Sequence, residues 1–103
     1  MFLDSQQKLA SSLSSNPFSV TCLFFAESKE VTGTKEFVFP IQAPISLADF
    51  KSIHLLGKYP QLQQVLLNSL FAINLEYVES DAEDITILSS NCEVAVLPPV
   101  SGG

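Results

Sequence analysis

The sequence predicts an α+β fold, in which a mixed sheet packs against one main helix and one short helix. Two apolar, strand-like segments, residues 18–26 and 36–40, come first, and residues 46–56 then repeat apolar side chains at helical spacing. A last apolar segment follows at residues 93–97. Two opening strands, a covering helix and a returning final strand together make a roll around one hydrophobic core.

The length of the chain limits it to one domain. At 103 residues it can bury a single core but cannot build a second domain around a deep cleft. Hydrophobic residues make up 47% of the chain, which favours folding over disorder. We expect a folded domain at residues 18–97, a flexible N-terminal extension at residues 1–17 and an extended tail at residues 98–103.

The first two strands are predicted to form a hairpin with an enlarged turn. Both alternating faces of residues 18–26 are apolar, as in a central strand. Residues 27–32 suit a short helical turn, and Gly33 can adopt the positive φ that reverses the chain. Residues 36–40 then alternate up to a closing proline.

The main helix is predicted to begin after Ser46, which is a suitable N-cap, and to run to about Leu56, with Gly57 ending it. One face of this helix is expected to cover the sheet. The residues on that face are Leu47, Phe50, Ile53 and Gly57.

Four further elements complete the predicted order. A short helix is expected at residues 61–67, a strand region with a bend at residues 71–78, a short strand at residues 85–88 and the last strand at residues 93–97. If the last strand returns beside the first in parallel, this order describes the β-grasp, or ubiquitin-like, arrangement.

The two cysteines are predicted to be reduced and to behave as small, buried hydrophobic side chains. Cys22 and Cys92 lack the spacing of a zinc or redox motif, and His54 is the only histidine, so no metal site is expected. On neighbouring first and last strands the two thiols could come close, although Cα atoms more than about 7 Å apart would exclude a disulfide. We expect His54 to be a packed or surface side chain.

The charge balance points to protein partners with positive surfaces. The chain has eleven acidic residues, five lysines and no arginine, which argues against nucleic acid binding. The acidic run from Glu79 to Asp84 is most simply a solvated loop, and calcium binding is a remote alternative.

The sequence predicts a cytosolic protein. No apolar run approaches the about 20 residues that cross a bilayer, and the first residues lack the pattern of a signal peptide. The serine-rich stretch before Pro17 is typical of a flexible extension.

The C-terminal tail carries the predicted chemistry. Leu97 leads into Pro98 and Pro99, which stop strand pairing and push the chain outward, and Val100 and Ser101 lead to the terminal Gly102 and Gly103. Two residues without side chains can enter a channel too narrow for a Cβ. The alternative is that the two glycines are an inert, linker-like end.

The free carboxylate of Gly103 must be activated before it can react. It is ionised at neutral pH and is a poor electrophile. Adenylation with ATP supplies a leaving group, after which a sulfur donor can convert the acyl group to a thiocarboxylate. The sequence therefore predicts a sulfur carrier whose sulfur travels on the tail.

The segment EVAVLPPVSGG at residues 93–103 resembles the ending of the small subunits of molybdopterin synthase, a short apolar strand followed by Pro-Pro-x-Ser/Thr-Gly-Gly. Residues 24–26, with Glu30 and Gly33, resemble the opening of that family, and residues 71–78 resemble its middle strand. The resemblance spans about residues 20–103. It departs from the family at residues 89–91, where an Asp- or Gly-rich turn is common, and in the N-terminal extension, which has no counterpart.

The resemblance implies a division of labour. An activating enzyme adenylates Gly103 and installs sulfur, and the large synthase subunit takes in residues 98–102. The expected apolar contact is formed by Leu97, Pro98, Pro99 and Val100 together with one exposed face of the sheet. The carrier then donates sulfur to cyclic pyranopterin monophosphate, which builds the dithiolene of molybdopterin. The family works as a heterotetramer, so this chain is not expected to be an enzyme alone. It binds no permanent cofactor, and the activating enzyme consumes the ATP.

Two other classes of function stay open from the sequence. Other β-grasp sulfur carriers serve thiamine synthesis or tRNA thiolation and share the two glycines. A ubiquitin-like modifier, joined to lysines of target proteins, uses the same adenylation step.

Overall fold

A computed structural model describes residues 18–41 and 44–99. The predicted extension at residues 1–17 lies outside these ranges. The described chain forms a five-stranded mixed sheet in the order β2-β1-β7-β4-β5 and a separate two-stranded sheet, β3-β6. The strands are β1 (Ser19–Phe24), β2 (Glu36–Pro40), β3 (Ile45–Ser46), β4 (Leu70–Ile73), β5 (Glu76–Val78), β6 (Ile87–Leu88) and β7 (Cys92–Leu97).

The helices lie on one side of the larger sheet. They are α1 (Ala26–Thr32), α2 (Leu47–Asp49), α3 (Leu56–Lys58) and α4 (Gln63–Leu67). A π-helical segment, Phe50–Leu55, joins α2 to α3, and these three pieces together form the main helix. Short 3₁₀ turns lie at Pro60–Leu62 and Ser80–Ala82.

The predicted α+β β-grasp fold is confirmed. Strand β1 pairs with β2 in antiparallel and with β7 in parallel, so the last strand does return beside the first. The enlarged turn of the first hairpin contains α1, which ends at Gly33 with φ of 78°. The inner face of the sheet and the buried faces of the helices form one core.

The start of the main helix is as predicted. The Ser46 hydroxyl accepts a hydrogen bond from the Asp49 N–H at 3.1 Å, which satisfies one of the free donors at the helix N-terminus.

The predicted buried face and end of the main helix are wrong in two places. Ile53 is 59% exposed, and Leu55 is buried in the core instead. The reason is the π-helical segment, in which the Leu56 N–H donates to the Lys51 carbonyl five residues back and so rotates the later residues relative to an α-helix. Gly57 is exposed and lies inside α3 rather than ending the helix. The helix ends at Tyr59, because a residue before proline disfavours helical backbone.

The predicted strand region at residues 71–78 is a β-hairpin. Strands β4 and β5 pair in antiparallel across the two-residue turn Asn74–Leu75, in which both residues have positive φ. This is the type I′ turn that matches the twist of a hairpin. Leucine is unusual there, and Leu75 is 89% exposed.

The strand predicted at residues 85–88 is shorter than expected and has an unpredicted partner. Only Ile87–Leu88 form β6, which pairs with Ile45 and Ser46 of β3. The small sheet ties the start of the main helix to the segment before β7. Leu88 is fully buried on its inner side.

Cys22 and Cys92 are both buried and free, as predicted for small hydrophobic side chains. Their strands are neighbours, but Cys92 lies opposite Val20 and Cys22 lies opposite Val94. Two residues of strand rise and one strand spacing separate the Cα atoms by about 8 Å. A disulfide between them is therefore excluded without backbone movement.

The acidic run is not simply a solvated loop. Part of it forms the 3₁₀ turn Ser80–Ala82, and the Glu83 carboxylate receives an ion pair from Lys51 at 2.7 Å. Both side chains of that pair are mostly buried, and the Lys51 ammonium also lies 4.5 Å from the ring centre of Phe71. The pair attaches this segment to the main helix.

Candidate functional site

Strand β7 carries the chain from the core to the tail. Its side chains alternate between the two faces, and Val94 and Val96 are fully buried. The alternation continues past the strand, because Pro98 is buried and Pro99 is exposed. Pro98 therefore still packs on the domain, although the sequence places it in the tail. Pro99 is the first residue to stand clear of the fold.

The end of β7 is fixed from one side by β4. Leu97 lies opposite Leu70 in the last pair of this ladder. The strand stops at Leu97 as predicted, because proline has no N–H to donate and the ladder cannot continue through Pro98. The described end of the sheet therefore lies at Leu97, directly before the proline pair.

An apolar surface surrounds the base of the tail on the side of the sheet away from the helices. The strand register aligns Leu23, Ala95, Ala72 and Tyr77 in one row across four strands. Leu70 and Tyr77 are 58% and 73% exposed. We call this surface the open face; its residues are Leu23, Leu70, Ala72, Tyr77, Ala95 and Leu97.

Phe25 extends the open face beyond the end of β1. Its backbone is extended and it follows the buried Phe24, so its side chain falls on the same side as Leu23, with 46% exposure. The buried Ser28 hydroxyl holds this conformation by accepting from the Phe25 N–H at 3.0 Å and donating to its carbonyl at 2.6 Å. A buried hydroxyl thus holds the backbone of a residue whose aromatic side chain is half-exposed.

The nucleophilic side chains of the domain lie away from the tail. Burial raises the pKa of Cys22 far above its ordinary value, and burial likewise raises the pKa of Cys92. Both thiols are therefore protonated at neutral pH. His54 stacks on Phe50 and meets Phe39 edge-on, with ring centres 5.9 and 6.3 Å apart, as expected for a packed histidine.

The described part of the chain contains neither a metal-binding cluster nor a membrane-spanning helix. Within residues 18–41 and 44–99, no three His, Cys, Asp or Glu side chains are grouped to hold a metal ion. No described helix is long and apolar enough to span a bilayer.

The structure describes three of the predicted site residues. Leu97 and the proline pair lie together at the edge of the open face, so the predicted apolar contact and the base of the tail adjoin each other. The other four predicted residues, Val100, Ser101, Gly102 and Gly103, lie outside the described residues.

Comparison with known proteins places the chain in a family. The family model described as ThiS family matches residues 22–103. The molybdopterin synthase sulfur carrier subunit of Dictyostelium discoideum is 44% identical over 93 residues, covering 86% of this chain and 99% of that protein. The human protein of the same name is 35% identical over 85 residues, covering 82% and 93%. The chain belongs to the family of molybdopterin synthase sulfur carrier subunits. This confirms the resemblance found in the sequence.

Solved structures agree with the fold. The protein SAMP1 from Haloferax volcanii superimposes with a TM-score of 0.70 at 24% identity, covering 82% of this chain and 99% of that one. A putative molybdopterin converting factor, subunit 1, from Pyrococcus furiosus gives a TM-score of 0.69 at 18% identity, covering 81% and 99%. At these identities the likeness establishes the β-grasp architecture alone.

The sequence predicted that one exposed face of the sheet joins the apolar contact, but apart from Leu97 it did not identify the residues of the open face. Leu70, Tyr77 and Phe25 belong to three different segments, and only the strand register brings them beside Leu97. The sequence signal that could have found them is an apolar residue on each strand at a position that alternation assigns to the face opposite the core.

Proposed function

We propose that this protein carries sulfur as a thiocarboxylate on Gly103 and delivers it within a molybdopterin synthase. The observation that carries the proposal is the junction at the end of β7, where a buried Pro98 is followed by an exposed Pro99 beside an apolar surface, in a sequence that ends in Gly-Gly. Family membership supplies the chemistry that such a terminus would perform.

The proposed reaction has two steps at the terminal carboxyl group, the first at its oxygen and the second at its carbon. A carboxylate oxygen of Gly103 attacks the α-phosphorus of ATP in the activating enzyme, and pyrophosphate leaves. Hydrosulfide, supplied by a donor, then attacks the acyl carbon, AMP leaves with the bridging oxygen, and loss of the S–H proton leaves a thiocarboxylate. At neutral pH the starting carboxylate is ionised, so the adenylate provides the leaving group that the free acid lacks.

The sulfur acceptor in this proposal is cyclic pyranopterin monophosphate, held by a large subunit that receives residues 98–103. The described part of the chain offers a surface rather than a catalytic pocket, so binding and proton transfer are assigned to the partner. One solved neighbour, from Helicobacter pylori, is titled a protein-protein complex of subunits 1 and 2 of molybdopterin-converting factor; it gives a TM-score of 0.59 at 24% identity. A pairing of this kind, assembled as a heterotetramer, is what we propose for this chain.

The open face is the proposed contact with the large subunit. It is apolar at its centre, and a surface of this kind beside a functional terminus is typical of a protein interface. Gly103 would enter the partner, followed by Gly102, Ser101 and Val100. The partner would enclose Leu97, Pro98 and Pro99 where the tail joins the domain.

Intact mass spectrometry tests the proposal directly. After incubation with the activating enzyme, ATP and a sulfur donor, the chain should gain about 16 Da, the exchange of one oxygen for sulfur. Deleting Gly103 should abolish that gain while leaving thermal unfolding unchanged. An unchanged mass in the full-length chain, with an activating enzyme shown to be active on another carrier, would contradict the proposal.

A second candidate is a protein modifier. The small archaeal modifier protein 1 from Methanosarcina acetivorans shares the fold, with a TM-score of 0.67 at 26% identity, covering 84% of this chain and 97% of that one. This candidate predicts isopeptide conjugates between Gly103 and lysines of other proteins. A mass gain of sulfur without such conjugates favours the carrier.

A further inference from the structure

A groove runs along the outer edge of β5, away from the junction where the tail leaves the domain. It has a volume of about 430 Å³ and lies between β5 and the segment that leads into β6. Its apolar lining includes Ile73, Val78 and Ile87, and the last of these is 59% exposed. Strand β4 lies between β5 and β7, and neither Leu97 nor the two prolines line the groove.

Strand β5 is the edge of the five-stranded sheet on this side. In a two-residue hairpin the residues next to the turn, here Ile73 and Glu76, form the hydrogen-bonded pair, and the next pair does not. That next pair is Ala72 and Tyr77, so the peptide groups of Tyr77 face away from β4 toward the groove. An extended chain lying in the groove could therefore pair with β5 as an added strand.

The walls of the groove are acidic. Glu76 and Glu79 line it, and both are exposed. The lysines of the described chain lie elsewhere. Lys51 is the partner of Glu83 in the single ion pair found among the described residues, and Lys58 lies over the Phe37 ring at 4.4 Å.

The two remaining described lysines are also distant from the groove. Lys35 adjoins β2 on the opposite edge of the sheet, four strand spacings or about 19 Å across, and Lys29 lies on α1. The groove carboxylates therefore have no cation of this domain to neutralise them. A ligand that brings positive charge would meet complementary charge at Glu76 and Glu79.

We infer that this groove docks an extended segment of a partner protein that alternates Lys or Arg with apolar residues. The segment lies along β5, its backbone pairs with the peptide groups of Tyr77, and its cations reach Glu76 and Glu79. Its apolar side chains cover Ile73 and Ile87. The groove contains no residue of the tail, and Tyr77 is the one residue that it shares with the open face.

A synthetic ten-residue peptide that alternates Lys and Val, with both termini capped, is the probe. Titrating it into the ¹⁵N-labelled full-length chain should shift amide resonances of residues 73–79 and 82–87. The same peptide with Glu in place of each Lys should produce none of these shifts. Binding should weaken as salt is added, because the contact is an exposed charge contact.

Two charge-reversal variants make the test specific. Glu76→Lys combined with Glu79→Lys should raise the dissociation constant about tenfold or more, since two opposing charges become repulsive. The matched control is Glu27→Lys combined with Glu30→Lys, which makes the same change of net charge on exposed positions of α1 and should change the constant less than about twofold. If the double lysine variant loses its dispersed spectrum, Glu76→Gln with Glu79→Gln replaces it.

The inference fails if the shifts spread evenly over the surface, if both variant pairs weaken binding equally, or if neither peptide binds. Removing Gly102 and Gly103 should leave peptide binding unchanged. That truncation distinguishes this inference from the proposed function, because it should abolish sulfur loading and should leave the peptide dissociation constant unchanged.

Discussion

Replacing Pro98 with alanine tests where the folded domain stops and the tail begins. The side chain of Pro98 is buried at the end of β7, whereas Pro99 is exposed. Pro98→Ala removes two buried ring carbons, which at about 0.8 kcal/mol for each carbon amounts to about 1.6 kcal/mol of lost burial. Greater freedom of the unfolded chain adds about 0.4–1 kcal/mol.

Pro99→Ala is the matched control for this change. It alters the unfolded chain in the same way but removes no buried carbon, so its cost should be about 0.4–1 kcal/mol. The expected difference between the two variants is therefore about 1.6 kcal/mol. This difference in the free energy of unfolding reports only the burial of the Pro98 ring, because the effect of proline on the unfolded chain is the same in both variants and cancels.

Urea denaturation followed by far-ultraviolet circular dichroism measures both free energies of unfolding. The slope of the free energy with urea should be the same in the two variants, because the surface exposed on unfolding hardly changes. Equal destabilisation by the two substitutions would refute the reasoning, since it would mean that Pro98 contributes nothing to the core and that the free tail includes it.

Three further predictions concern the rest of the domain. Leu75→Asn should stabilise the protein by about 1 kcal/mol, seen as a higher thermal midpoint, because asparagine tolerates the positive φ at that turn and an 89% exposed leucine loses little contact. The free energy of unfolding should fall above pH 9.0, by up to about 1.4 kcal/mol per pH unit for each thiol. The reason is that Cys22 and Cys92 ionise at their ordinary pKa in the unfolded state, whereas burial keeps them protonated in the folded state. In alkaline denaturation, Cys22→Ala should reduce the slope of the free energy of unfolding with pH. A double-mutant cycle on Lys51→Met and Glu83→Gln should give a coupling energy of about 1 kcal/mol, and a value near zero would show that the pair does not hold the acidic segment to the helix.

The sequence predicted the elements whose patterns follow a regular period. The first strand, Ser19–Phe24, lies within the predicted residues 18–26, and the short helix predicted at residues 61–67 is observed as a 3₁₀ turn at Pro60–Leu62 followed by α4. Leu62, Val65 and Leu66 on this segment are buried. The main helix departs from prediction because a hydrophobic stripe at 3.6-residue spacing assumes an unbroken α-helix. The π-helical segment moves Leu55 to the core and Ile53 to solvent, and no single residue in the sequence indicates that a π-helical segment forms there.

The small sheet was beyond sequence reasoning for a different reason. Strands β3 and β6 have two residues each, which is too short for an alternating pattern to appear. The candidate site shows the opposite case. Its chemistry lies in residues 98–103 and follows from residue types alone, whereas the apolar surface beside it depends on strand register and becomes visible only in the fold.

The positions of the cysteines matter to a protein that carries an activated acyl group. In the proposed reaction, the adenylate on Gly103 would react with any accessible thiolate, and a thiol of the same chain would be present at high effective concentration. Cys22 and Cys92 are 0% and 1% exposed, and burial raises the pKa of both, so neither supplies a thiolate at neutral pH. The core therefore protects the tail from its own chain, and an external sulfur donor becomes the nucleophile that the adenylate meets. A cysteine introduced on the open face, for example by Leu70→Cys, removes this protection. It should then form a thioester between the new thiol and Gly103 during activation, with loss of one water from the mass, whereas the parent chain should not.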